Sequence, residues 1–171
     1  MTDAIRTAIE GATAYLTEHP DEASYTDSLA TATLGDGLSV KVEGPNGERL
    51  ETDMPGAVGG AASAPSPGWF LRAAVAACVA SLARMRAAQL GLTGFGGSVE
   101  VDSESDDRGI LGIDASVPAG PLSMSIRFRV TADGASPEQL REVAEWAVDH
   151  CPVSDAVRRA VPLRIELSPP R

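Results

Sequence analysis

The spacing of apolar residues changes several times along this chain, and each change marks a new element. Over residues 3–18, Ile5, Ala8, Ile9, Ala12 and Leu16 recur at helical spacing and predict an amphipathic helix. Thr2 is placed to cap its start, and His19-Pro20 ends it. From Ser28 to Asp53 the period falls to two: Leu29, Thr31 and Thr33, then Leu38, Val40 and Val42, then Leu50. Turn residues Gly35-Asp36-Gly37 and Gly44-Pro45-Asn46-Gly47 divide this stretch, which predicts a three-stranded antiparallel meander. Residues 54–66 are mostly Gly, Ala, Ser and Pro and read as a loop.

Ser66-Pro67 is a strong helix start, with Ser as the cap and Pro at the first helical position. The predicted helix runs to about Leu90 and ends at Gly91. Its middle, residues 73–83, is apolar on every side, which predicts burial all round at the centre of a domain or of a dimer. Strands follow at 97–103 and 122–131, separated by an acidic loop at 104–120. Ser136-Pro137-Glu138-Gln139 opens a helix reaching Asp149; a short helix at 153–159 and a last strand at 163–167 complete the chain. The order α-βββ-α-ββ-α-α-β is that of an α+β fold. Residues 1–25 read as an N-terminal helical extension and 26–171 as the main domain.

Composition narrows the function. The 171 residues suit one domain, and with aromatics at only 4% the core must be built from Ala, Val, Leu and Ile. A net charge of −10, with no Lys/Arg block, argues against nucleic acid and against an anionic membrane surface. Residues 1–6 lack the basic and apolar regions of a secretory signal. The most apolar run, 73–83, is bracketed by Arg72 and Arg84 and is too short to span a bilayer, so a cytoplasmic location is the expectation.

The chain has two cysteines, Cys78 and Cys151, and in a reducing compartment they are not expected to form a permanent bridge. They could be inert core residues, an incomplete metal pair or a redox pair. Only His19 and His150 could join them as ligands and no spacing suits zinc, so neither metal nor cofactor is expected. Cys78, in the middle of the apolar helix, reads alone as a space-filling thiol. Cys151 opens Cys-Pro-Val-Ser, where free N–H groups favour a thiolate, although a small buried residue would fit the turn equally well. His150 suggests a Cys–His pair, but a cation at a helix C-terminus is the better reading. The acidic run from Asp102 to Arg108 lacks a calcium-loop pattern and reads as solvated. Trp69 and Phe70 can line an apolar pocket leading to Cys78, or simply pack in the core.

The segment from Ser66-Pro67-Gly68-Trp69 to Cys78, with Cys151-Pro152-Val153-Ser154 and a closing strand far downstream, resembles the OsmC/Ohr family (osmotically inducible protein C and organic hydroperoxide resistance protein). The likeness spans about residues 30–167 and marks the chain as a divergent member, with 26–171 as its OsmC-like domain. It implies antiparallel sheets packed around long central helices in an intertwined homodimer. It also implies a thiol peroxidase that takes organic hydroperoxides and is recycled by an external dithiol. Carried over by motif, Cys78 would be peroxidatic and Cys151 resolving. The chain departs from the family at two places. Gly68 stands where family peroxidases carry a glutamate, and Pro45 where they carry the arginine that pairs with the thiolate; Arg49 is the nearest substitute. Arg72, six residues before Cys78, lies roughly 240° round the helix and points elsewhere. A non-catalytic dimer that binds an apolar small molecule, or has a structural or stress role, is the alternative. Cysteine-dependent group transfer would need a base that the sequence does not offer.

Overall fold

Local signals fix the longest helix, α2 (Pro67–Gln89), at both ends. Ser66 accepts a hydrogen bond from the Trp69 N–H, and Pro67 occupies the first turn, where its missing N–H costs nothing. At the other end Gly91 takes φ +71°, which lets Leu92 N–H reach the Ala87 carbonyl at 2.9 Å and Gly91 N–H the Ala88 carbonyl at 3.0 Å. That paired closure satisfies two terminal carbonyls and turns the chain towards the next strand.

The computed structural model describes residues 2–167. Before α2 come α1 (Thr2–Glu18), β1 (Thr31–Leu34), β2 (Val40–Glu43) and β3 (Arg49–Thr52). After it come β4 (Gly96–Glu104), α3 (Asp107–Ile110), β5 (Ser123–Thr131), α4 (Pro137–Asp149) and α5 (Pro152–Arg158). Strands β1, β2 and β3 form the predicted meander, with Thr31 opposite Glu43 and Val40 opposite Thr52. Strands β4 and β5 form a separate two-stranded ribbon paired from Gly96↔Thr131 to Glu104↔Ser123. The architecture is therefore mixed helix and antiparallel sheet, as the element order predicts.

One face of α2 makes the core. Val75, Val79, Ala83 and Ala87 repeat every four residues, so they form a single stripe, and all are buried. They pack with Val143 and Ala147 of α4 and with Cys151, while Val99, Val101, Met124, Ile126 and Phe128 of the ribbon close over them. Val75, Val79 and Val143 are fully enclosed, and burial of each is worth roughly 1.5–3 kcal/mol. Helix α4 carries a full capping box: Ser136 Oγ accepts from Gln139 N–H, and Gln139 Oε1 accepts from Ser136 N–H.

Three expectations need comment. First, α2, expected at the centre of a domain or of a dimer, is covered by its own chain on one face only, with Ala74, Ala77, Ala80, Ser81 and Arg84 exposed. Helices α1, α4 and α5 and strand β4 pack on it, yet they cover only part of its circumference. Second, the acidic loop at 104–120 contains a helical turn, α3, whose first N–H groups are capped by Asp106. Third, residues 163–167 form no strand. Leu163, Ile165 and Leu167 are 90, 90 and 94% exposed, because among the described residues no strand of the same chain lies beside them.

Candidate functional site

The first two turns of α5 decide the surroundings of Cys151. Pro152 starts the helix, and Cys151 becomes its cap, with its own sulfur accepting a hydrogen bond from Ser154 N–H at 3.3 Å. Ser154 is itself buried, and its hydroxyl donates its one proton to the Val148 carbonyl at 2.9 Å, with the Cys151 carbonyl 3.3 Å away. The serine thus ties the last turn of α4 to the first turn of α5, which holds the N–H aimed at the sulfur. Its buried place in Cys-Pro-Val-Ser was the signal for this role, which the spacing of apolar residues alone does not reveal.

Cys78 approaches from α2. Its side chain packs against the core cluster that contains Cys151. Two residues 73 positions apart in the sequence are thus brought to one core cluster. Burial pushes the Cys78 thiol up; the influence of Cys151 adds to the rise, and the Val153 N–H opposes it. For Cys151, burial also works against the thiolate, but hydrogen bonds from Ser154, with Cys78 and the Val153 N–H adding to them, outweigh it and hold the group below its ordinary value. Cys78 is half-buried and Cys151 fully buried, so an entering molecule meets Cys78 first.

The other sequence-flagged residues lie apart from this pair. His150 caps α4 and stacks on Trp146, with ring centroids 4.1 Å apart and planes at 12°, while its Nδ1 donates to the Trp146 carbonyl at 2.8 Å. The ring is committed to that helix end. Arg72 Nη1 donates to Ser103 Oγ at 3.3 Å, across on β4. Arg49 pairs with Glu43 within the meander at 3.2 Å. Among the described residues, no arginine or lysine contributes to the shift of either cysteine. Two acids of the 102–108 run have arginine partners: Asp102 holds Arg127 at 2.5 Å, and Asp106 holds Arg108 at 2.5 Å. Trp69 and Phe70 pack edge to face at 5.1 Å on the first turn of α2. Next to them a cleft of about 350 Å³ is lined by Pro67, Gly68, Leu71, Arg72, Asp106 and Ile110, with neither aromatic ring and neither cysteine in its wall.

A further buried acid has no counterpart in the sequence reading. Asp53 directly follows β3 and is 2% exposed. Its carboxylate accepts from the Met54, Ala61 and Ser63 N–H groups and from Ser63 Oγ, all between 2.7 and 3.1 Å. It therefore folds the loop that leads into α2 around a single charge. The only sequence signal is an aspartate followed by a Gly/Ser-rich loop.

The comparisons with known proteins agree with this plan. The model of the OsmC-like protein family matches residues 60–166, more than half of the chain. Among curated protein sequences there is no match. An OsmC-like protein from Mycoplasma pneumoniae superposes with a TM-score of 0.67 at 15% identity, over 80% of this chain and 91% of its own. An organic hydroperoxide resistance protein from Legionella pneumophila gives 0.56 at 22%, over 79 and 91%. The organic hydroperoxide resistance protein OhrB of Bacillus subtilis gives 0.53 at 19%, over 85 and 100%. At such identities these likenesses establish the fold.

Proposed function

This chain belongs to the OsmC-like protein family, and from that premise we propose that it is a thiol peroxidase reducing organic hydroperoxides through Cys78 and Cys151. The observation that carries the reading is that Cys78 packs against the core cluster that contains Cys151, which local packing of either helix alone does not require. Cys78 attacks the peroxide and becomes a sulfenic acid; Cys151 condenses with it to a disulfide, and an external dithiol restores both thiols. Two of the similar structures are of organic hydroperoxide resistance proteins, which supports that substrate class. The protein works as a homodimer in the cytoplasm, where its thiols stay reduced. Three features support the dimer: the bare stripe of α2, the meander with Leu29 and Leu34 exposed, and the unpaired alternation at 163–167. Residues 1–25 are an extension of the 26–171 OsmC-like domain, and α1 lies along α2.

The test is peroxide loss with dithiothreitol or a lipoyl dithiol as reductant. Cumene hydroperoxide should be consumed faster than hydrogen peroxide. Cys78→Ser should abolish turnover, since a serine hydroxyl is barely ionised near neutral pH. Cys151→Ser should allow one turnover and leave Cys78 as a trappable sulfenic acid. Equal, slow rates for the wild type and Cys78→Ser would refute the reading. The non-catalytic alternative draws on one specific observation: with Gly68 on the first turn of α2, this chain places no carboxylate there, and Cys78 is pushed towards its neutral thiol.

A further inference from the structure

We propose that the cleft beside the first turns of α2 is a binding site for a small apolar carboxylate, with the Arg72 guanidinium as its anchor. The site stands apart from the redox reading above, because neither cysteine lines the cleft. Position comes first. Gly68, Arg72, Val75, Val79 and Ala83 follow one another at spacings of three and four residues, so Gly68 and Arg72 prolong the stripe of α2 that makes the core. Facing them on β4, Ser103 shares a side of the strand with Val99 and Val101, which close over that core. The line of apolar contacts therefore ends in an arginine and a serine, whose side chains meet at 3.3 Å.

A half-buried guanidinium costs free energy unless a carboxylate offsets it. Most arginines among the described residues hold one, from Arg6 with Asp3 to Arg159 with Asp155. Arg84, Arg141 and Arg164 form no ion pair but are exposed, so water serves them. Arg72 is half-buried, and its partner is the neutral Ser103 hydroxyl. Of the two acids in the cleft wall, Asp106 is held by Arg108 and Asp107 is exposed; neither pairs with Arg72. Room for a carboxylate lies next to the guanidinium. A Cβ on Gly68 would meet nothing nearer than Arg72 Nη1 and Ser66 Oγ, each 3.9 Å away. The glycine thus leaves open a place from which a ligand carboxylate can engage the planar fork of Arg72. Beyond it the cleft, about 350 Å³, falls within the size range of small-molecule sites and is walled by Met54, Pro55, Leu71, Ile110 and Pro121. A cation at one end and apolar walls along the rest suit a medium-chain acid. Ala77, Ser81 and Arg84 of the bare face lie on the other side of α2 from Gly68 and Arg72, so covering that face does not close the cleft.

The test is isothermal titration of the full chain with octanoate, 1-octanol and acetate. Octanoate should bind saturably, at one site per chain. Acetate lacks the apolar tail and 1-octanol the charge, and each should bind about tenfold more weakly or worse. Arg72→Gln should weaken octanoate about tenfold and leave 1-octanol unchanged. Gly68→Glu puts a carboxylate four residues before Arg72, where it pairs with the guanidinium, and should weaken octanoate to a similar degree. Gly68 is exposed and its Cβ meets no close atom, so this variant decides the matter even if Arg72→Gln folds poorly. Octanoate that does not bind, that binds no better than 1-octanol, or that binds Gly68→Glu as tightly as the wild type overturns the proposal. The readout is the heat of binding, so a protein that consumes no peroxide still passes or fails this test on its own terms.

Discussion

Arg86 of α2 grips Glu142 of α4 with two nitrogens on one carboxylate oxygen, Nε at 2.8 Å and an Nη at 2.5 Å. The same guanidinium lies over the Trp146 ring at 5.3 Å, so one side chain joins the helices by charge and by its flat face. Both partners keep some solvent contact, which screens the pair. Glu142→Ala should lower stability by about 1 kcal/mol, or roughly 3 °C in melting temperature. The loss should shrink in high salt. A double-mutant cycle with Arg86→Ala, read by thermal melts, measures the coupling.

Asp53 makes stability depend on pH. Hydrogen bonds from Ser63, backbone first and hydroxyl second, hold its carboxyl below the ordinary aspartate value, against burial and with help from Met54 and Ala61 N–H. A carboxyl lowered on folding contributes stability that is fully present above its ordinary value and fades as pH falls through the folded one. Asp53→Ala should therefore melt several degrees lower at pH 7, with a gap that narrows below about pH 4. Melting curves of both proteins across that range provide the check.

A bridge between Cys78 and Cys151 would close a loop of more than 70 residues. Loop-closure entropy puts the gain at about 4 kcal/mol, which is roughly 10 °C in melting temperature for a domain of this size. Oxidised protein should melt above reduced protein by that order. Cys78→Ser should show no difference between the two conditions.

The bare α2 stripe and the exposed Leu163, Ile165 and Leu167 predict self-association. Light scattering at low micromolar concentration should give twice the 17.6 kDa chain mass. A truncation after Arg159 should shift the population to monomer. A monomer mass for the full chain would count against the dimer.

The helix ends were legible because capping is local: Ser66, Gly91 and Ser136 each act within five residues of themselves. The meander was legible for the same reason, since its turns lie between the strands they join. The approach of Cys78 to Cys151 was not, because spacing carries no information about partners 73 positions apart, and only the family resemblance suggested it. The α2 reading left domain and dimer open, and the reason is physical. An all-apolar helix states that every face wants cover, but not that one chain supplies it. Helix α3 was missed because four residues are too few to show a period.

The tail at 161–167 also bears on how the protein avoids sticking to itself indiscriminately. An exposed segment that alternates Leu163, Ile165 and Leu167 with polar residues is a template for edge-to-edge growth once it is extended. In the sequence it is fenced by Pro162 before and Pro169-Pro170 after, and Arg164 and Glu166 alternate with its leucines and isoleucine. Proline donates nothing to a ladder, so any pairing here stops after about six residues and cannot propagate along the chain. The flanking prolines and alternating charges work against propagation of such pairing, while a single short, matched strand can still find its place.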